Sequence, residues 1–107
     1  MILKGKYWCA LVMAVAGPFE GERRVGWRRR EPYWYVKVYV GYPAVEVKHM
    51  FHTREQAEAY FQLFEVALRR PGVYNVEKFN AEIEGMLDRV VNGWDPECVW
   101  REVMDDG

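Results

Sequence analysis

The sequence predicts an α+β fold: a three-stranded antiparallel sheet (β-β-β) followed by three helices, with the first helix packed on the sheet. Three observations carry this. The stretches Tyr33–Val40 and Val45–Phe51 alternate apolar and polar residues, with a turn at Tyr42-Pro43 between them. A continuous apolar run precedes them. Three segments with helical spacing and helix-capping residues follow.

In order along the chain, Lys6 to Val15 reads as the first strand. Tyr7, Cys9, Leu11, Met13 and Val15 share one face, and Trp8, Ala10, Val12 and Ala14 the other. With both faces apolar, this strand is expected to be central or covered on both sides. The apolar run from Tyr7 to Ala16 is too short to span a bilayer. No small-residue cleavage site follows Lys4 and Lys6, so no signal peptide is read. A soluble, cytoplasmic chain without a membrane partner is the expectation, host-cytoplasmic if the source is a virus.

Gly17 to Pro32 is read as a long Arg-rich loop, because Gly17-Pro18 and Gly21 are turn signals. Five arginines and Trp27 fall between positions 23 and 30. Loops of this length are commonly functional or disordered. If Val25 to Arg30 is extended, it lengthens the second strand or forms a mobile basic arm.

The second strand sends Trp34, Val36, Val38 and Val40 one way, and Tyr33, Tyr35, Lys37 and Tyr39 the other. In the third, Val45, Val47, His49 and Phe51 oppose Glu46, Lys48, Met50 and His52. Pairing the apolar rows makes one core face. The second face is too aromatic for ordinary solvated surface. Either it meets a partner or the later helices fold over it.

Thr53 with Gln56 forms a capping box for a helix from Arg54 to Arg70. Its predicted stripe is Ala57, Phe61, Phe64 and Leu68, flanked by Tyr60, Leu63 and Ala67. Asn75 caps a second helix with Val76, Phe79, Ile83, Met86, Leu87 and Val90 inward. Asp95-Pro96-Glu97 opens a third, short helix carrying Val99, Trp100, Val103 and Met104. Residues 105–107 are expected to fray. The 107 residues form a single domain on this reading.

Composition bounds the chemistry. There is no serine, and Thr53 is the only threonine, so serine-nucleophile mechanisms are excluded. Few amides beside many charges suits a thermophilic source. Residues 1–54 hold ten Lys/Arg against four Asp/Glu, and residues 55–107 five against twelve. Such division suits a basic surface for an anionic partner, an acidic face for a basic one, or halves that neutralise each other.

Cys9 and Cys98 belong to no Cys-x-x-Cys pair, and His49 and His52 fall on opposite strand faces, so no metal site is predicted. A Cys9–Cys98 disulfide suits only a hyperthermophilic source. Glu77, Glu84 and Asp88 share a helix face, read as solvated for want of a nearby histidine. No cofactor, small-molecule substrate or catalytic residue is predicted.

Two binding readings remain. Tyr33, Tyr35, Tyr39, Met50 and Trp27 are residue types suited to a protein interface, with another protein or with a second copy as a homodimer. Arg23, Arg24, Arg28, Arg29, Arg30, Lys37 and Lys48, with the strand tyrosines, suit nucleic acid: arginine contacts phosphate and aromatic rings stack on bases. Phe51-His52-Thr53-Arg54-Glu55-Gln56-Ala57, within residues 33–70, resembles the strand-to-helix junction of AP-two-like DNA-binding domains, including integrase arm-binding domains. That resemblance implies a three-stranded sheet on one helix, with the sheet laid in the major groove. Here tyrosines stand where basic or polar readers are expected. The reading placed first is a non-enzymatic interaction module, a chain type that suits a virus-encoded inhibitor or adaptor of a host defence complex. Nucleic-acid binding is the alternative.

Overall fold

Val36, Val38 and Val40 have no exposed surface, and this row decides which face of the sheet the helices cover. In the computed structural model, which describes residues 9–10, 12–41, 43–69 and 74–105, they lie on the central strand. The strands are β1 (Cys9–Ala10), β2 (Val12–Gly26), β3 (Arg29–Val40), β4 (Val45–Phe51) and β5 (Tyr74–Asn75). The helices are α1 (Arg54–Arg69), α2 (Val76–Val91) and α3 (Pro96–Trp100), the last running into a π-helical turn at Arg101–Asp105. The sheet order is β2-β3-β4, antiparallel throughout, and α1 packs across it. This is the predicted α+β arrangement.

Local chemistry explains the helix starts. Thr53 Oγ1 accepts a hydrogen bond from the Gln56 N–H at 3.2 Å, Asn75 Oδ1 from the Lys78 N–H at 3.0 Å, and Asp95 Oδ2 from the Cys98 N–H at 3.3 Å. Each satisfies a donor that the first helical turn leaves free. On α1 the buried stripe is Ala57, Tyr60, Leu63 and Phe64, with Ala59 and Val66 also inside and Leu68 outside. The predicted stripe is therefore rotated toward Tyr60, because α2 and α3 stack on α1 and bury a second side of it. Tyr60, Phe64, Tyr74, Phe79 and Trp100 meet there, with neighbouring ring centroids 4.8–6.2 Å apart.

Three expectations are corrected. The first strand is neither single nor central. Cys9–Ala10 pairs with Tyr74–Asn75 in a separate two-stranded sheet, and Val12 begins an edge strand. The run is apolar on both faces because it serves two sheets; Lys6 to Trp8 and Leu11 lie outside the described residues. Residues 17–32 are not a loop. They continue β2 and β3 into a long hairpin, pairing Phe19 with Tyr35, Glu20 with Trp34, Arg23 with Glu31 and Arg24 with Arg30. Register shifts at Ala16/Phe19 and Arg24/Gly26 absorb the breakers. The cis Gly17-Pro18 bond sits in the first of them, on an edge strand where a missing N–H is tolerated. Finally, Asp105 closes the π-helical turn instead of fraying, while Asp106-Gly107 lie outside the described residues. Arg70 lies outside them as well.

Candidate nucleic-acid interface

β4 pairs with β3 only from Trp34 to Val40. Beyond that point β2 and β3 run on alone, Gly21–Gly26 against Arg29–Tyr33, as a two-stranded ribbon. At about 3.4 Å per residue the ribbon is roughly 20 Å long, on a molecule 47 Å along its longest axis. Every residue from Glu22 to Pro32 is exposed. The hairpin turns at Trp27-Arg28, with Arg28 at φ 71°, a conformation tight turns require and side-chain-bearing residues rarely take.

All five predicted arginines are on this ribbon. Paired residues share a face, so Arg23 and Arg29 lie on the side that continues the tyrosine face, and Arg24 and Arg30 on the opposite side. Arg24, Arg28, Arg29 and Arg30 line a concavity of about 470 Å³. Trp27 is 79% exposed at the apex, with the Arg28 guanidinium 4.5 Å from its ring centroid. Among the described residues only one of the five has a carboxylate partner: Arg30 Nη1 is 3.9 Å from Glu22. That pair is exposed and therefore weak.

Below the ribbon the outer sheet face continues the surface. The Lys48 Nζ lies 4.2 Å from the Tyr35 ring centroid and 5.6 Å from that of Tyr33. Phe19 packs on Tyr35 at 5.2 Å, and Tyr33 on Tyr35 at 5.7 Å. Met50 stands 52% exposed beside them. Arg23, Tyr33, Met50, Phe51 and His52 line a shallow pocket that joins ribbon to sheet. The helices pack on the valine side and on each other, so among the described residues this face is not buried beneath α2 and α3. The expectation that the later helices fold over it gives way to an open face.

The remaining predicted residues are engaged elsewhere on the face. The Tyr39 hydroxyl donates to Glu46 at 2.8 Å, and Lys37 Nζ is 3.6 Å from the same oxygen. Accepting that bond, the carboxylate pushes the Tyr39 pKa up. Lys37 and Tyr39 thus form a partly neutralised pair with Glu46, apart from the arginines. Phe19 was missed in the sequence. Its one signal is parity: carrying the hairpin through Gly17-Pro18 sets Phe19 opposite Tyr35.

No family model, curated protein or solved structure matches the chain.

Two further placements bear on chemistry. Cys98 is an exposed, free thiol at the start of α3, so the disulfide to Cys9 is not made. Its hydrogen bond to Asp95 pushes its pKa up. Among the described residues no three His, Cys, Asp or Glu side chains converge as metal ligands, and no helix is long and apolar enough to cross a membrane. The second placement concerns the α2 carboxylates. Glu84 and Asp88 do have a histidine beside them: with His49 they line a groove of about 430 Å³. Glu77 is not part of it. The sequence hides this grouping because its members come from β4, α1 and α2.

Proposed function

We propose that the chain is a non-enzymatic nucleic-acid-binding protein that uses the arginine ribbon as its principal contact. One observation carries the reading. Arg23, Arg24, Arg28, Arg29 and Arg30 stand with Trp27 on a fully exposed two-stranded ribbon, where among the described residues only Arg30 has a carboxylate partner. Guanidiniums without carboxylate partners on a projecting element supply phosphate contacts, and an exposed indole at the apex supplies stacking. Lys48, Tyr33, Tyr35 and Phe19 extend the same basic and aromatic character onto the sheet. The resemblance of residues 33–70 to AP-two-like domains is in keeping with it. The test is titration with short duplex and single-stranded oligonucleotides over a range of salt. Affinity should fall steeply and linearly in log–log form. Absence of binding at low salt would overturn the proposal.

The protein-interface reading, placed first from sequence, stands second. It is favoured by Met50 and Phe19, apolar side chains 52% and 40% exposed beside Tyr33 and Tyr35. On this reading the sheet face pairs with a second copy or another protein. Light scattering at rising concentration tests the homodimer: mass should increase, and Met50→Lys should abolish the increase. A strict monomer would remove the self-pairing form.

A further inference from the structure

The groove between β4, α1 and α2 has a composition the nucleic-acid reading does not use. Its wall is aromatic. The His49 ring lies over Tyr60, centroids 4.9 Å apart and planes 29° from parallel, and Phe51 closes against Tyr60 at 5.1 Å. Ile83 and Leu87 supply apolar sides, and Gln56 an amide. Glu84 and Asp88, one helical turn apart on α2, complete the lining. Neither carboxylate side chain has an ion-pair or hydrogen-bond partner among the described residues. Burial lowers the His49 pKa, so the imidazole is neutral at pH 7 and does not offset them.

A second, independent observation marks the same place. Tyr60, which lines the groove, is 1% exposed, and its hydroxyl has no hydrogen-bond partner among the described residues. Buried polar groups are nearly always satisfied, so an unsatisfied one in a cavity wall marks an unused contact. A carboxylate pair, an aromatic wall and apolar sides together select one chemistry. Carboxylates accept charge-assisted hydrogen bonds from N–H donors, ring faces attract cations, and the apolar sides bury a methylene stem. A volume of about 430 Å³ holds a group of that size.

We infer that this groove is a binding site for an alkylguanidinium, with the cation held by Glu84 and Asp88 and its stem against His49, Tyr60 and Phe51. The same chemistry is offered by a free amine such as agmatine and by an arginine side chain of a peptide. The groove shares none of its charged residues with the ribbon, so the inference does not depend on nucleic-acid binding.

The test uses the full chain at moderate salt, with the ring resonances of His49 and Tyr60 followed by NMR. Three probes are titrated: agmatine, a tripeptide blocked at both ends with central arginine, and the same tripeptide with neutral citrulline. The expected result is a saturable shift at His49 and Tyr60 with a guanidinium probe, and none with citrulline. His52 should not move. The Glu84→Gln/Asp88→Asn variant, folded by its unchanged melting curve, should weaken binding at least about tenfold, the loss expected for charge-assisted contacts. Response to agmatine alone assigns a free amine, and response to the peptide assigns a protein side chain. Either result supports the site. No saturable shift, an equal response to citrulline, or full binding by the double variant would overturn it.

Discussion

The ring of Tyr33 lies across Gly21, its partner on the neighbouring strand, so closely that a β-carbon at position 21 would stand 2.8 Å from the ring Cζ. Glycine here makes room for a side chain, not for a turn. Gly21→Ala should swing the Tyr33 ring off the ribbon base, away from Lys48 and Arg23. Because the ring is the free end of a flexible side chain, the stability cost should stay below about 1 kcal/mol, the low end of overpacking. Oligonucleotide affinity should fall several-fold while the denaturation midpoint barely moves. An unchanged affinity would show that Tyr33 makes no contact.

Replacing ribbon arginines one at a time by glutamine should lower the salt dependence of binding in steps. Removing one phosphate contact reduces the log–log slope by about 0.9 on duplex or about 0.7 on a single strand. Trp27→Ala should act differently, leaving the slope in place and reducing affinity by about 1–3 kcal/mol if the indole stacks on a base. A fluorescence anisotropy titration at several salt concentrations separates the two effects.

Phe64 touches Tyr60, Tyr74, Phe79 and Trp100 and has no exposed surface. Phe64→Ala empties the junction of all three helices and should cost about 3–5 kcal/mol. Against a typical total of about 5–15 kcal/mol, that is a large share. Urea denaturation should show a much lower midpoint.

Burial pushes the Tyr60 and Tyr74 hydroxyl pKa values well up. A raised folded-state value means the unfolded chain ionises first. The contribution to stability is therefore full below the unfolded value of about 10 and is lost as pH rises from there through the folded values. Thermal melting should be insensitive to these groups at pH 8 and should drop steeply above pH about 10. Tyr60→Phe should make that drop shallower. At pH 7 the same change should be neutral or stabilising by up to about 1 kcal/mol, since it removes an unsatisfied hydroxyl.

What the sequence made legible was local. Thr53, Asn75 and Asp95 announce their helices because a cap involves only the next three residues. Tyr33 to Phe51 announces its strands because alternation there is unbroken. The ribbon was not legible: Gly17-Pro18, Gly21 and Gly26 read as turn punctuation, and bulges interrupt the parity that would have carried the strand through them. The arginines were found as a group, but their distribution over two faces depends on the register opposite them. Tyr60 was placed beside the main stripe of α1 and is instead near its centre, since sequence spacing does not reveal that α2 and α3 cover a second side. The groove was invisible for a related reason, as His49 is 35 positions from Glu84 in the chain.

The ribbon also has two outer edges whose backbone donors and acceptors are unpaired among the described residues. Open edges of this kind invite pairing with another chain, and charged side chains along them keep copies apart. Arg23, Arg24, Arg29 and Arg30 stand along those edges. The chain therefore depends on them to stay dispersed, whatever they contact. Neutralising several together should promote edge-to-edge aggregation, whereas lysine in the same positions should preserve a dispersed protein.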